Sequence, residues 1–527
     1  MKRLTRSRQL FFVAILVVLL GSLLSSVILP GLSVSQKTDQ RPNILFILTD
    51  DLDTAEVAYM PKLKSLVSDR GISFENFFVN VSLCCPSRVS ILRGQYSHNT
   101  QVLTNEGLNG GFETAYRLGV EKSTIATWLH AAGYRTALFG KYLNGYPKSA
   151  SKTYIPPGWD EWASAIEGNP YREYNYTLNE NGQLVSYGND PEDYGTDVYT
   201  RKAVDFIDRT AKEGKPFFIY LSLYVPHEPA TPAPRHANLF PGVKAPRTPS
   251  FNEEDVSDKP QYLRQKKSLR QQDIARLDEL YRKRLQSLQA VDEALVSLVN
   301  ALNKTKQVDN TYIIFTSDNG FHLGQHRLLL GKQTAYEEAI RIPFIVRGPG
   351  IRGGQTRPHL TGNVDLAPTF AELARTRAAD FVDGRSLTPL FKSEPPSIST
   401  WRQAYLLEHW PSKNRGHVRT KPPERPRPTQ PDRRGSREKA IEVSQSRRRN
   451  RRAPRTQIPE YQGIRTRDYT YVEYKTGEKE LYDLRGDRYQ LNNLAKKANP
   501  KLLEQLAHRL HELRKCTKVS CRSAETA

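Results

Sequence analysis

Three stretches of the chain change from apolar, β-branched runs to acid, amide or imidazole within a few residues. Asn43-Ile44-Leu45-Phe46-Ile47-Leu48 ends at Thr49-Asp50-Asp51, and Thr311-Tyr312-Ile313-Ile314-Phe315-Thr316 ends at Ser317-Asp318-Asn319-Gly320. Pro216-Phe217-Phe218-Ile219-Tyr220-Leu221 leads into Val225-Pro226-His227. Runs this short and continuous predict buried strands. Ile274, Leu277, Tyr281, Leu285, Leu288, Val291, Leu295, Leu298 and Leu302 recur at three- and four-residue spacing. They predict one long amphipathic helix whose apolar stripe is core. Strands alternating with helices imply an α/β sheet with helices on both faces, and such sheets collect their chemistry at the carboxyl ends of strands. Farther on, Tyr469, Tyr471, Val472, Tyr474 and Leu481-Tyr482-Asp483-Leu484 predict short antiparallel strands, and Pro500 to Leu513 a terminal helix.

Two segments break this pattern. Lys2, Arg3, Arg6 and Arg8 precede an apolar run from Leu10 to about Leu29, then Pro30-Gly31 and the small residues Ser33-Val34-Ser35. Residues 1–35 therefore read as a signal peptide or a retained N-terminal membrane anchor, and either puts the body outside the cytosol. The second segment, 411–456, is Arg, Pro, Gln and Ser with almost no apolar residues, a composition that cannot bury enough surface to order itself. Between Lys413 and Arg455, 16 Lys and Arg face 4 Asp and Glu, a net +12 that leaves +10 of the total +22 for everything else. The charge thus describes this insert more than a fold. Arg447, Arg448, Arg449, Arg451 and Arg452 are its densest part and a candidate tether for polyanions; no specific nucleic-acid partner is expected. The resulting organisation is 1–35 leader or anchor, 42–400 catalytic domain, 411–456 basic insert and 457–515 a smaller C-terminal α+β subdomain.

Four cysteines are too few for a disulfide framework. Cys516 and Cys521 lie near enough to close a small loop in an oxidising compartment. Neither cysteine pair has histidines at zinc-ligand spacing.

The candidate chemistry begins at Cys84-Cys85-Pro86-Ser87-Arg88. Asp50, Asp51, Asp318 and Asn319 add hard oxygen donors that suit Ca²⁺ or Mg²⁺. Pro42-Asn43-Ile44 through Asp50-Asp51 is followed by Cys84 to Arg88, then by Gly133 to Lys141 and His227. Thr316 to Gly320, Gly331-Lys332 and Glu480-Leu481-Tyr482-Asp483-Leu484 complete the series. In this order the chain resembles the formylglycine-dependent (type I) sulfatases of the alkaline-phosphatase superfamily over roughly residues 42 to 515. Tyr96-Ser97-His98-Asn99, Gly140 to Asn144, Tyr174 to Thr177 and Asp318 to Gln325 resemble the N-acetylglucosamine-6-sulfatase branch and the extracellular heparan endosulfatases.

The resemblance implies an alkaline-phosphatase-like central mixed sheet flanked by helices. It implies that a formylglycine-generating enzyme oxidises Cys84 to formylglycine, whose hydrate attacks sulfur. Asp50, Asp51, Asp318 and Asn319, with residue 84, would hold Ca²⁺ (Mg²⁺ being possible). Arg88 would stabilise the hydrate, Lys141 and Lys332 would bind sulfate oxygens, and His227 would face the bridging ester oxygen. The substrate would be a sulfated sugar or glycosaminoglycan, and the location secreted, periplasmic or lysosomal according to source.

Three departures stand out. Leu143 occupies the position where many arylsulfatases carry a histidine that helps eliminate sulfate, which leaves His322 and His326 as candidate bases or substrate contacts. Leu92-Arg93-Gly94-Gln95 replaces the usual Leu-Thr-Gly-Arg or Lys that follows the core motif. The basic insert has no counterpart in a minimal exo-sulfatase. The competing readings are an endosulfatase, a generic arylsulfatase, a phosphodiesterase or phosphonate hydrolase, and an inactive sulfatase fold that binds polyanions.

Overall fold

The computed structural model of the protein describes residues 41–412 and 457–526. The 1–35 segment and, but for its first two residues, the 411–456 segment with Arg447, Arg448, Arg449, Arg451 and Arg452 lie outside those residues. Among the described residues no helix is long and apolar enough to cross a membrane.

Ten strands form the main sheet: β1 (Asn43–Thr49), β2 (Ile72–Phe78), β3 (Arg135–Gly140), β4 (Glu161–Gly168), β5 (Tyr176–Glu180), β6 (Gln183–Tyr187), β7 (Phe217–Ser222), β8 (Thr311–Ser317), β9 (Phe344–Arg347) and β10 (Gln355–Gly362). Their spatial order is β10-β2-β9-β8-β1-β7-β3-β4-β5-β6. The central run β8-β1-β7-β3-β4 is parallel, and antiparallel pairs flank it at β8-β9, β2-β9, β4-β5 and β5-β6. The sheet is therefore mixed, with a parallel heart.

β1 is buried at every position. Ile44, Phe46 and Leu48 enter one apolar cluster, while Leu45 and Ile47 enter another. This alternation follows from the two-residue period of a strand, and it means both faces are covered. The helix Gln271–Lys304 carries the predicted stripe, and Leu288, Val291, Leu295, Leu298 and Leu302 complete the second cluster. Truncating a fully buried ring such as Phe46 to alanine costs about 3–5 kcal/mol.

A second sheet is antiparallel throughout and contains β11 (Ala404–His409), β12 (Tyr461–Thr466), β13 (Tyr469–Tyr474) and β14 (Lys479–Asp483) in that order. The helix Pro500–Leu513 packs on it through Leu506, Leu510 and Leu513. This sheet also takes in Ala404–His409, which precedes the basic segment in sequence. Cys516 and Cys521 form a disulfide that closes a five-residue span.

Candidate active site

The four central parallel strands each deliver a polar group at the same end of the sheet. β1 runs into Asp50 and Asp51, β8 into Asp318 and Asn319, β3 into Lys141, and β7 toward His227. Parallel register makes this convergence automatic: Leu48 lies opposite Ser222 and Thr49 opposite Ser317. At Gly140, φ is +113° and a Cβ would sit 1.8 Å from the Ser222 carbonyl oxygen. Only glycine permits that approach, and the Lys141 amide then donates to the same oxygen at 2.7 Å.

The fifth contribution is the N-terminus of the helix Cys84–Arg93. Pro86 is tolerated there because the first turn has no intrahelical partner for its missing N–H. Gly94, in the left-handed region at φ 69°, ends the helix. Cys84 is buried at the first helical position, with Sγ 3.4 Å from Asp50 Oδ1 and 2.8 Å from Lys332 Nζ. Cys85 turns the other way, into the apolar core, and its amide donates to Asn105 Oδ1 at 2.8 Å.

Charge in the site is closely matched. Lys141 pairs with Asp50 and Lys332 with Asp51. Arg88 Nε donates to Asp318 Oδ2 at 2.8 Å and its Nη1 to Ser222 Oγ at 2.6 Å. Burial alone would raise the Asp50 carboxyl, but Lys141, followed by His227, holds it below the usual carboxylate range. Asp51 is buried too and is lowered in the same way by Lys332 and His227. Burial opposes the charge on both lysines, and Asp50 and Asp51 respectively keep it on. Burial, and then Asp50, push the Cys84 thiol far above its ordinary value. The unmodified side chain is thus held as a thiol and is a poor nucleophile.

His227 Nδ1 lies 2.7 Å from the Glu228 carbonyl oxygen, which can only accept, so Nδ1 carries a proton. Nε2 is left facing Asp51 Oδ2 at 3.6 Å. Ligand atoms of Asp50, Asp51, Cys84 and His227 all lie within 4.8 Å of one another. Asn319 donates through Nδ2 to Asp51 Oδ1 at 2.6 Å, while its own Oδ1 is buried without a partner. A buried amide oxygen left unpaired beside three carboxylates fits a hard divalent cation.

His322 and His326 occupy an adjoining buried cluster. His322 Nε2 meets Thr334 Oγ1 at 2.6 Å, and its backbone bridges to Gly331, next to Lys332. His326 Nδ1 meets Glu253 Oε2 at 2.7 Å and its ring stacks on Tyr336 at 3.9 Å. Burial pushes both down to about 3, assisted at His322 by His326 and at His326 by Lys259.

Three supporting residues escaped the sequence reading. Ser222 ties Arg88 to Lys141 by accepting from one and donating to the backbone carbonyl of the other. Tyr171 packs its ring 4.5 Å from that of His227, with the Lys141 ammonium 5.1 Å from its centroid. Arg284, buried in the long helix, donates to the Asp51 carbonyl, to Glu56 and to the Pro226 carbonyl. It steadies the left-handed backbone of Asp51 (φ 66°). Its signal was legible, because an arginine three residues after Tyr281 and four before Leu288 lies on the apolar stripe and needs a buried partner.

The family model for sulfatases matches residues 42–376. The chain belongs to the sulfatase family. It is 41% identical over 381 residues to a putative extracellular sulfatase Sulf-1 homolog of Caenorhabditis elegans, covering 70% of this chain and 53% of that one. It thus spans about half the length of that relative. It is 35% identical over 504 residues to the N-acetylglucosamine-6-sulfatase of Homo sapiens, covering 92% of this chain and 86% of that one. In structure it is similar to a protein solved in complex with its substrate D-glucosamine-2-N,6-O-disulfate, with a TM-score of 0.71 and 25% identity, covering 90% of this chain and 98% of the other. These likenesses agree with the alkaline-phosphatase-like sheet expected from the sequence.

Proposed function

We propose that this sulfatase-family chain hydrolyses sulfate esters of sulfated glycans outside the cytosol, removing 6-O-sulfate from N-acetylglucosamine-type sugars. The observation that carries the reading is the position of the residue-84 side chain, between the Asp50 and Asp51 carboxylates and the Lys332 ammonium. The relatives support the sugar: one is an N-acetylglucosamine-6-sulfatase matched over most of its length, and one structural neighbour takes a 6-O-sulfated glucosamine.

In this reading a formylglycine-generating enzyme oxidises Cys84 to formylglycine, whose hydrate supplies the attacking hydroxyl. Asp50, Asp51, Asp318 and Asn319 hold Ca²⁺ or Mg²⁺, which withdraws charge from a sulfate oxygen. The chain's own residues do the rest. Lys141 and Lys332 bring two fixed positive charges to the sulfate, stabilising the negative charge that grows during transfer. Arg88, locked by Asp318 and Ser222, keeps an Nη2 that makes no hydrogen bond and lies 3.9 Å from Asp50 Oδ2, the carboxylate that also faces residue 84. His227, oriented by the Glu228 carbonyl through Nδ1–H, would as the imidazolium give its Nε2 proton to the bridging ester oxygen as the S–O bond breaks, so that the sugar leaves as its hydroxyl. His322 and His326 are assigned to holding the loop that carries Lys332, because each spends one ring nitrogen on a buried partner outside the group formed by Asp50, Asp51, Cys84 and His227; His322 Nδ1 and His326 Nε2 stay buried without a hydrogen-bond partner.

The test is turnover of N-acetylglucosamine-6-sulfate by protein co-expressed with a formylglycine-generating enzyme, before and after chelation and with added Ca²⁺. Release of sulfate that is lost on chelation and restored by Ca²⁺ is expected. Faster turnover of a phosphonate monoester or phosphodiester than of any sulfate ester would overturn the reading.

A further inference from the structure

A cavity of about 350 Å³ lies beside the site and is lined by Arg172, Tyr174, Asn175, Asn189, Pro229 and Lys283, among others. Three segments contribute to both places. Tyr171 packs on His227 while Arg172, the next residue, lines the cavity. His227 faces Asp51 while Pro229 lines the cavity. Arg284 supports Asp51 while Lys283 lines the cavity. At 3.8 Å per Cα step, no more than about 8 Å of backbone separates any of these pairs. The cavity therefore adjoins the side of the site on which His227 stands.

Its lining is suited to a charged sugar. The exposed Arg172 guanidinium has no ion pair among the described residues. Among the described residues Lys283 pairs only with the exposed Glu279, a surface contact that a ligand can displace. Among the described residues no aspartate or glutamate lines the cavity. The Tyr174 hydroxyl is buried without a hydrogen-bond partner, and Asn175 and Asn189 hold each other's amides at 2.5 Å. Two cations and two amides match the hydroxyls and one anionic substituent of a pyranose.

We infer that this cavity is a second subsite, binding a carboxylate- or sulfate-bearing sugar unit linked to the unit that loses its sulfate. The inference rests on the proposed hydrolysis and narrows its substrate to an anionic oligosaccharide.

The test uses full-length enzyme from a bacterial host, so that Asn175 in its Asn-Tyr-Thr sequence carries no glycan. It compares oligosaccharides sharing one 6-O-sulfated glucosamine whose neighbouring unit carries a carboxylate, a sulfate or no charge. Wild-type enzyme is expected to prefer the charged neighbours by roughly tenfold to a hundredfold in kcat/KM, the yield of one charge-assisted hydrogen bond. The preference should lie mainly in KM. In the Arg172→Ala/Lys283→Ala double variant the ratio of charged to uncharged should fall close to one. A ratio unchanged in the double variant overturns the subsite. Preference for only one anion assigns the pocket to that anion. Binding of the same oligosaccharides to Cys84→Ala protein, by calorimetry, separates this from the activity. If binding discriminates through Arg172 and Lys283 while wild type releases no sulfate, the subsite stands and the hydrolysis reading falls.

Discussion

Around Glu480 three phenols converge on one carboxylate: Tyr336 and Tyr482 donate to Oε1 and Tyr474 to Oε2, each at 2.6 Å. Around Asp51 the count does not close. Lys332, Asn319 and His227 surround it, yet Asn319 Oδ1 remains buried with no hydrogen-bond partner, and beside it Arg88 Nη2 makes no hydrogen bond and reaches Asp50 Oδ2 only at 3.9 Å. Both clusters are buried and polar, and the segment from Lys332 to Tyr336 joins them. A polar cluster that satisfies itself is scaffold, because an unmade bond in a low-dielectric interior is costly. One that leaves donors and acceptors spare is stable only at a cost, and it is made for a ligand that completes it.

The largest test of that contrast is at residue 84. Cys84→Ala should lower turnover by at least about a thousandfold, as loss of a nucleophile does. Cys85→Ala should keep most activity, since Cys85 faces core. Equal loss from both, measured as sulfate release, would make the pair structural. Next in size, Asp318→Ala should remove bound metal and activity together, and should cost up to about 3–5 kcal/mol in urea unfolding because the buried Arg88 loses its 2.8 Å partner and keeps only Asp50 at 3.9 Å. Stoichiometric zinc in active protein would contradict the oxygen-ligand assignment. Glu480→Gln should reverse the balance. Stability should fall by about 1–3 kcal/mol, while kcat on a small sulfate ester changes by less than about tenfold, under 1.4 kcal/mol.

The smallest effect concerns pH. Burial would strip the proton from His98, but the Glu408 carboxylate at 2.9 Å and the Cys516 carbonyl keep it on, carrying His98 up to about 9. A histidine raised in the folded state contributes stability that is full below its unfolded value of about 6.5 and lost as pH rises through 9. Wild type should therefore lose up to about 3 kcal/mol between these limits that His98→Gln does not lose. Parallel pH–stability curves for the two proteins would remove His98 from that role.

What the sequence showed depended on how strongly each segment's pattern was tied to burial. β1, β7 and β8 were readable because both of their faces are covered, which forces unbroken apolar runs. The helix Pro500–Leu513 was readable from its proline start and leucine spacing. The outer strands were not. β6 is half exposed, β9 has four residues, and β10 carries Pro358 and a register shift, so none shows a clean period. The same held within the site. Asp50, Asp51, Asp318 and Asn319 stand at ends of legible strands, and Cys84 and Arg88 sit in a compact motif. Tyr171 lies in a short turn outside the parallel heart, and only the folded chain brings its ring to His227 and Lys141.

The central claim is that residue 84 works as an aldehyde within a self-incomplete charged cluster. Peptide mass spectrometry of active enzyme, with aldehyde-specific labelling, addresses it directly. The account predicts formylglycine at position 84 beside an intact thiol at Cys85, in a fraction that rises in step with specific activity. Full activity in protein whose Cys84 and Cys85 are both thiols, or are joined as a disulfide, would contradict it.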